Sequence, residues 1–553
     1  MRFLRRNVVL AYGIYAVTIV SGLLLTPIIV DTLGTEQYGI WSVIGGVLAF
    51  IGLLDIGIAP SVIRFSAEQR GRKSQEETSA LASTALALYL VIFLVAVAVT
   101  LILAWVLPLV VDIPDRFVDE ARLALILVLL GFAIRFPVGL FTSLLAGQQR
   151  YDVINFAGLV SAVLYLVGVV GVLLWRGGGV LTLAVATLIV TLVRLVWPLL
   201  WVRRELPALR LRPSLATRVQ ARELLSFSGR NFMIHVASKV VFSTDVIVVG
   251  IVLGIVAAGL YKIPATLFAL AFGVGMAVTT LLFPLLSELE GAEERERQRD
   301  YLLAGLRMSL AVVLLVSAPL AVLPDRFLAA WLPDGDFGDS VPVLAVLMVS
   351  LLFAQPGYML TQFLVARGRH GGIALVRVAA VSANLVLSIV LAYAVGIWGV
   401  ALATLVTEAV ATGIATPLLI RRETGLPFGP LARAWLLPIA LAVVAALPTL
   451  VASRLLAVDT LLEFTAVGAV WALVYGAIFW RWGLDDRERG TLGRAFAGGA
   501  PQQPALAAAL ERVLADSSLA RTLGEGGLAR ARSEFSVERM AHATAGVYRR
   551  ALS

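Results

Sequence analysis

Apolar residues run along this chain in blocks too long for a soluble helix or strand, each block ending in a turn rich in charge, glycine or proline. A helix needs about 20 apolar residues to cross a hydrocarbon layer, and roughly 14 blocks reach that length. They centre on 8–30, 38–60, 80–111, 121–146, 152–175, 179–202, 231–254, 259–286, 303–323, 341–365, 372–395, 398–420, 434–453 and 462–481. The pattern predicts an all-α integral membrane protein. The first block follows Met1-Arg-Phe-Leu-Arg-Arg6, is too long for a signal-peptide core and lacks a small-x-small cleavage site, so it reads as a retained first span.

The connecting loops alternate in charge, which tests the span count independently, because Lys and Arg collect on the cytoplasmic side. Arg2, Arg5 and Arg6 begin the basic series, which continues through Arg64 to Lys73, Arg150, Arg203 to Arg222, Arg295 to Arg299, Arg367/Arg369, Arg421 to Arg433 and Arg481 to Arg489. The intervening loops are poor in Arg and carry Asp31, Glu36, Asp112, Asp115, Asp119, Asp334, Asp336, Asp339 and Asp459. A missed span would reverse the alternation. It does not reverse, so both termini are expected in the cytoplasm.

Several local patterns recur with one offset. Leu33-Gly34 and Gly39 return as Leu253-Gly254 and Gly259; Glu68 returns as Glu288; Pro137, Arg150 and Gly179-Val180 return as Pro356, Arg369 and Gly399-Val400. The offset corresponds to six spans, and an even number of crossings makes the repeat parallel. The expected architecture is two parallel six-helix lobes, residues 1–225 and 226–425, with two additional spans in 426–485. A Gly-Pro-Gln-rich stretch within 486–504 reads as a linker, and 505–553 as a helical cytoplasmic tail.

Composition then narrows the chemistry. Of 553 residues, 59% are apolar and 15% charged, with a mean hydropathy of +0.92. The absence of Cys and the scattering of His235, His370 and His542 exclude disulfides, thiolate catalysis, iron–sulfur ligation and ordinary zinc sites. No cofactor, metal site or catalytic residue is expected. The formal charge of +9 rests almost wholly on Arg, since Lys occurs only at Lys73, Lys239 and Lys262. In this setting it orients helices in a bilayer and does not point to nucleic acid.

Thr26-Pro27, Leu33-Gly34-Thr35-Glu36-Gln37-Tyr38-Gly39-Ile40-Trp41 and Leu54-Asp55-Ile56-Gly57-Ile58 lie in the first lobe. Thr244-Asp245, Leu253-Gly254, Tyr261, Phe283-Pro284-Leu285-Leu286-Ser287, Asn384 and Gly396-Ile397-Trp398-Gly399-Val400-Ala401 lie in the second. In order and spacing, over roughly residues 1–485, these motifs resemble the polysaccharide-biosynthesis flippases of the multidrug, oligosaccharidyl-lipid and polysaccharide exporter superfamily. The resemblance implies a bacterial inner-membrane transporter that moves lipid-linked O-antigen or exopolysaccharide units by alternating access. Its partners would be membrane lipid and a polyprenyl-pyrophosphate-linked glycan, with a polymerase or glycosyltransferase beside it. The tail, with Leu514-Ala515-Asp516, Leu523-Gly524, Phe535-Ser536 and Tyr548, resembles the C-terminal end of two-domain glycosyltransferases, but the nucleotide-sugar motifs of that family are absent. A cation-coupled drug exporter of the same superfamily and a membrane protein associated with a glycosyltransferase are the alternatives.

A doubly charged glycan headgroup needs a wet cationic cavity, which in sequence appears as Arg or Lys deep inside apolar spans. Arg135, Arg194, Lys239, Lys262 and Arg377 fit that description and are the candidate substrate-binding cations. Snorkelling to the interface is the competing reading, strongest for Arg194, Lys262 and Arg377. Asp55, Asp245 and Glu408 are candidates for taking up a proton or sodium ion, or for pairing with these cations. For Asp55 a structural role is favoured, because Gly57 and Pro60 beside it suggest a bend.

Overall fold

The computed structural model describes residues 2–54, 58–72, 75–176, 178–333, 335–455, 459–486 and 488–490; within these, the side chains of 2–12, 15–16, 53, 69–72, 75, 174–176, 227–243, 370, 452 and 454–455 lie outside the description. Every long element among the described residues is a helix: α1 (Arg2–Ile51), α2 (Ile58–Arg72), α3 (Gln75–Val110), α4 (Val118–Gly147), α5 (Tyr151–Arg176), α6 (Val180–Glu205), α7 (Arg218–Val252), α8 (Ile255–Gly291), α9 (Arg295–Val322), α10 (Pro324–Trp331), α11 (Ser340–Ala366), α12 (His370–Val395), α13 (Ile397–Val410), α14 (Thr416–Thr424), α15 (Phe428–Leu455) and α16 (Leu461–Ile478). The chain falls into two compact units, Met1–Phe479 and Trp480–Ser553. The expected tail at 505–553 and most of the linker lie outside the described residues.

Twelve helices among the described residues are long and apolar enough to cross a membrane, and one of them, Val17–Ile51, runs through both arms of a kinked α1. Resolving α1 into its arms and adding the 35-residue α7 brings the number of spanning helices to the roughly 14 read from hydropathy. Leu94, Ile102, Trp105 and Leu109 stand exposed along α3. An apolar surface of that kind is the expected face toward lipid, because helices in a bilayer gain nothing by hiding Leu from acyl chains. α10 is an addition that hydropathy did not reveal: eight residues are too few to span, and Phe327 packs edge-on against Phe464 of α16 with ring centroids 4.9 Å apart.

The sequence offset has a backbone counterpart. Gly34 kinks α1 at φ 73° and Gly254 starts α8 at φ 91°, both in a region that glycine alone enters without strain. Five residues past each kink the two chains touch. A Cβ on Gly39 would overlap the carbonyl oxygen of Ile255, and a Cβ on Gly259 would sit 3.1 Å from the carbonyl oxygen of Thr35. Each contact is the other's image under the repeat. The helix packing follows the same rule: α4 packs on α3 and α6 as α11 packs on α9 and α13, and α5 packs on α1 as α12 packs on α7.

Prolines inside these helices leave the carbonyl four residues earlier without its N–H donor. Apolar surroundings cannot supply water, so another side chain must. At four sites one does so from a neighbouring helix or helix end. Pro27, Pro108, Pro264 and Pro356 free the carbonyls of Leu23, Ala104, Leu260 and Leu352. The donors are the Trp331 indole at 2.9 Å, Arg122 Nε at 3.2 Å, Ser340 Oγ at 2.9 Å and the Trp435 indole at 2.7 Å.

Candidate functional site

A cavity of about 640 Å³ opens between α1, α4, α5, α6 and α8. Its polar wall comes from helix faces: Thr18, Ser21 and Thr26 from the first arm of α1, Tyr38 and Ser42 from the second. Thr187, Thr191 and Arg194 follow one another at i, i+4 and i+7 on α6, and so share one face of that helix. Lys262 and Thr266 stand one turn apart on α8.

The hydroxyls are mostly turned back on their own helices. Thr18, Thr26, Ser42 and Thr266 donate to the carbonyls of Ile14, Gly22, Tyr38 and Lys262 at 2.7–2.9 Å. That arrangement uses each proton; Thr18 stands exposed, whereas the buried Thr26 and Ser42 lie, with Thr266, around the Tyr38 hydroxyl. Ser21 Oγ is buried with no hydrogen-bond partner among the described residues.

Charge distinguishes the cavity further. Arg194 and Lys262 line it, and among the described residues no Asp or Glu does. Neither cation has a carboxylate partner among the described residues. Lys262 sits seven residues, about 10 Å, from the start of α8, and Arg194 eleven residues, about 16 Å, from the end of α6 at 1.5 Å per residue. Two unneutralised cations facing a common space favour an anion and repel an organic cation.

The other candidate residues fall elsewhere. Arg135 lies exposed on α4, its guanidinium 4.8 Å from the centroid of the Phe132 ring, outside this cavity. Arg377 of α12 pairs with Glu408 of α13 at 3.1 Å and donates from Nε to Thr361 of α11 at 3.2 Å. That ion pair ties three helices together and is mostly buried. Arg377 is therefore placed in a local charge pair, apart from Arg194 and Lys262. The side chain of Lys239, on α7, and the whole of Asp55 lie outside the described residues.

Asp245 occupies a second buried polar centre. Its Oδ2 accepts from Tyr261 at 2.8 Å and from Thr404 at 3.0 Å, and Asn384 donates to Thr404 at 3.2 Å and to Thr407 at 3.4 Å. The cluster joins α7, α8, α12 and α13. Asp245 Oδ1 is buried with no partner among the described residues, and a bare carboxylate oxygen away from water is costly. A proton or a monovalent cation on Oδ1 would discharge it. Asp245, Tyr261 and Asn384 were each visible in the sequence only as separate motif residues; the fold brings them to one point. Among the described residues no three His, Cys, Asp or Glu side chains converge as a metal-binding group.

The model of the family described as polysaccharide biosynthesis protein matches residues 4–290. The chain belongs to that family. With 12 helices among the described residues long and apolar enough to cross a membrane, it is a multi-pass membrane protein of that family. It is 23% identical over 416 residues, 72% of this chain and 80% of the relative, to the uncharacterized membrane protein EpsK of Bacillus subtilis (strain 168). Its fold is similar to that of the lipid II flippase MurJ in an inward closed conformation: TM-score 0.65, 15% identity, 86% of this chain and 99% of that one. It is also similar to an inward-facing multidrug resistance MATE family transporter of the MOP superfamily: TM-score 0.62, 17% identity, 74% of this chain and 94% of that one.

Proposed function

We propose that this family member moves a lipid-linked oligosaccharide across the bacterial inner membrane, with its diphosphate headgroup received between Arg194 and Lys262. The observation that carries the reading is the cavity itself, which among the described residues holds two cations and no carboxylate and sets hydroxyl side chains beside apolar ones such as Leu25, Ile29 and Leu48. A diphosphate satisfies the cations by charge-assisted hydrogen bonds. Sugar hydroxyls meet the hydroxyl side chains of the wall, Thr18 among them, while the polyprenyl tail stays in lipid. Membership of a polysaccharide-biosynthesis family and a fold similar to that of a lipid II flippase support the same reading.

The first lobe (1–225) supplies Arg194 and the second (226–425) supplies Lys262, so a rocking motion of one against the other exposes the headgroup first to the cytoplasm and then outside. The reciprocal Gly39 and Gly259 contacts mark where the lobes close, and Asp245 is the group through which a proton or monovalent cation biases the two arrangements. A substrate shifts such an equilibrium only by binding one arrangement better. No covalent step is asked of the protein, and in this reading both termini face the cytoplasm.

The test is reconstitution into liposomes containing a fluorescent polyprenyl-diphosphate oligosaccharide, with headgroup accessibility followed by an impermeant quencher. The reading expects protein-dependent movement that Lys262→Gln abolishes. Movement of an organic cation in place of the glycan lipid would favour a drug exporter, and sugar transfer from a nucleotide sugar would favour an enzyme.

A further inference from the structure

The end of α6, its connection to α7 and the first turns of α7 carry six arginines, Arg203, Arg204, Arg210, Arg212, Arg218 and Arg222, all exposed. None of the six has a carboxylate partner among the described residues, whereas the nearby Arg150 is neutralised by Asp152 and Glu205. The remaining acid of the segment, Glu223, is exposed. Such a surplus on an ordinary flexible loop would be a solvated charge run and nothing more.

This loop is built. The backbone N–H groups of Arg210 and Arg212 donate to the hydroxyls of Ser79 and Ser83 on α3 at 3.2 and 3.1 Å, and the N–H of Thr217 donates to Thr84 at 3.1 Å. Ser79 and Ser83 stand about 6 Å apart along the helix, close to the roughly 6.6 Å between alternate residues of an extended strand. The match fixes the register of this extended segment. Alternation then turns Leu209 and Leu211 onto the apolar core and leaves Arg210 and Arg212 facing out.

Depth is marked by aromatic rings. Phe156, Trp197 and Trp201 form a cluster, with centroids 5.5 Å apart for the first pair and 6.5 Å for the second. Tryptophans gather at the level of lipid headgroups. Arg203 and Arg204 follow Trp201 within one turn, and Arg204 lies 5.5 Å from its ring centroid, which brings these two arginines to the depth of lipid phosphates.

We propose that the α6–α7 connection, held rigid on Ser79, Ser83 and Thr84, is a binding surface for anionic phospholipid headgroups, with Arg204, Arg210 and Arg212 as its phosphate ligands. A guanidinium presents a planar fork of donors that suits a phosphate oxygen pair better than an ammonium does. Anionic lipid is favoured over an acidic protein because the aromatic belt beside the arginines belongs to a bilayer interface. The site is separate from the cavity and does not depend on what the protein transports.

The test is native mass spectrometry of the purified full-length protein titrated with phosphatidylglycerol or phosphatidylcholine. Three forms are compared: wild type, R204Q/R210Q/R212Q, and R295Q/R297Q/R299Q. The second triple removes the same charge from an exposed run interspersed with Glu293, Glu294, Glu296 and Asp300. Each arginine near an anionic surface is worth about a fivefold preference, so the linker triple should lose phosphatidylglycerol retention by at least tenfold while the control triple keeps it. Arg210→Gln alone, expected to lose about fivefold, serves if the triple variant does not fold. Equal retention of the two lipids by wild type, equal loss in both triples, or selective retention of an acidic protein in place of lipid would overturn the proposal.

Discussion

Trp331 donates its indole N–H to the carbonyl of Leu23 at 2.9 Å, and that carbonyl is free because Pro27 cannot reach back to it. The tryptophan comes from α10, a short helix more than 300 residues further along the chain, so a defect in the first helix is repaired from the second half. Trp331→Phe keeps most of the packing and removes the donor. It is expected to lower stability by about 1–3 kcal/mol, the cost of a buried unsatisfied carbonyl. In a Pro27→Ala background, where residue 27 regains its own N–H, the same change should be close to neutral. Melting temperatures of the four proteins of this double-mutant cycle in detergent decide it; identical losses in both backgrounds would mean that the indole contributes by packing alone.

The close approach at Gly39 leaves no room for a side chain, because a Cβ there would overlap the Ile255 carbonyl. Gly39→Ala should therefore destabilise by about 1–3 kcal/mol, the range for overpacking a tight contact, and Gly259→Ala by less, since its nearest atom lies 3.1 Å away. Thermal unfolding of the two variants checks the order. Gly259→Ala proving the more damaging would contradict the contact geometry.

Glu408→Gln leaves the Arg377 guanidinium buried without its counter-charge. The expected loss is about 3–5 kcal/mol, visible as a lower melting temperature and lower yield, whereas replacing both residues by Met and Leu should recover much of it. A single variant as stable as wild type would show that water already solvates the pair.

Asp245→Asn keeps the shape of the cluster with Tyr261 and Thr404 but removes the charge. It is expected to spare headgroup binding and to abolish any dependence of transport on an imposed proton or sodium gradient. Flux measured with and without each gradient, in wild type and variant, checks this; an unchanged gradient response in the variant would remove Asp245 from coupling.

The fold was readable in the sequence because hydropathy blocks, loop charge and the repeat offset each answer to a one-dimensional rule. The kinks at Gly34 and Gly254 were visible as paired Leu-Gly motifs without their backbone angles. What a span does with its polar residues is settled by rotation, and rotation is set by neighbours. Arg194 and Arg377 look alike in sequence, each a lone cation in an apolar helix, yet one faces a cavity and the other meets Glu408 across α12 and α13. The hydroxyl wall went unread although Thr187, Thr191 and Arg194 lie at i, i+4 and i+7, a polar stripe on an otherwise apolar helix. Prolines could be read as kinks, but not which distant side chain would meet the carbonyl each one frees.

The central claim is that Arg194 and Lys262 together receive an anionic headgroup, and it is tested most directly by equilibrium binding of a short-chain prenyl-diphosphate sugar to the purified protein. Each of Arg194→Gln and Lys262→Gln removes a charge-assisted contact worth about 1.5–3 kcal/mol, so the account predicts a Kd raised about tenfold or more for either variant. The uncharged prenyl sugar should bind wild type and variants equally weakly. Unchanged affinity of both variants for the diphosphate, or a wild type that does not distinguish the charged from the uncharged ligand, would contradict it.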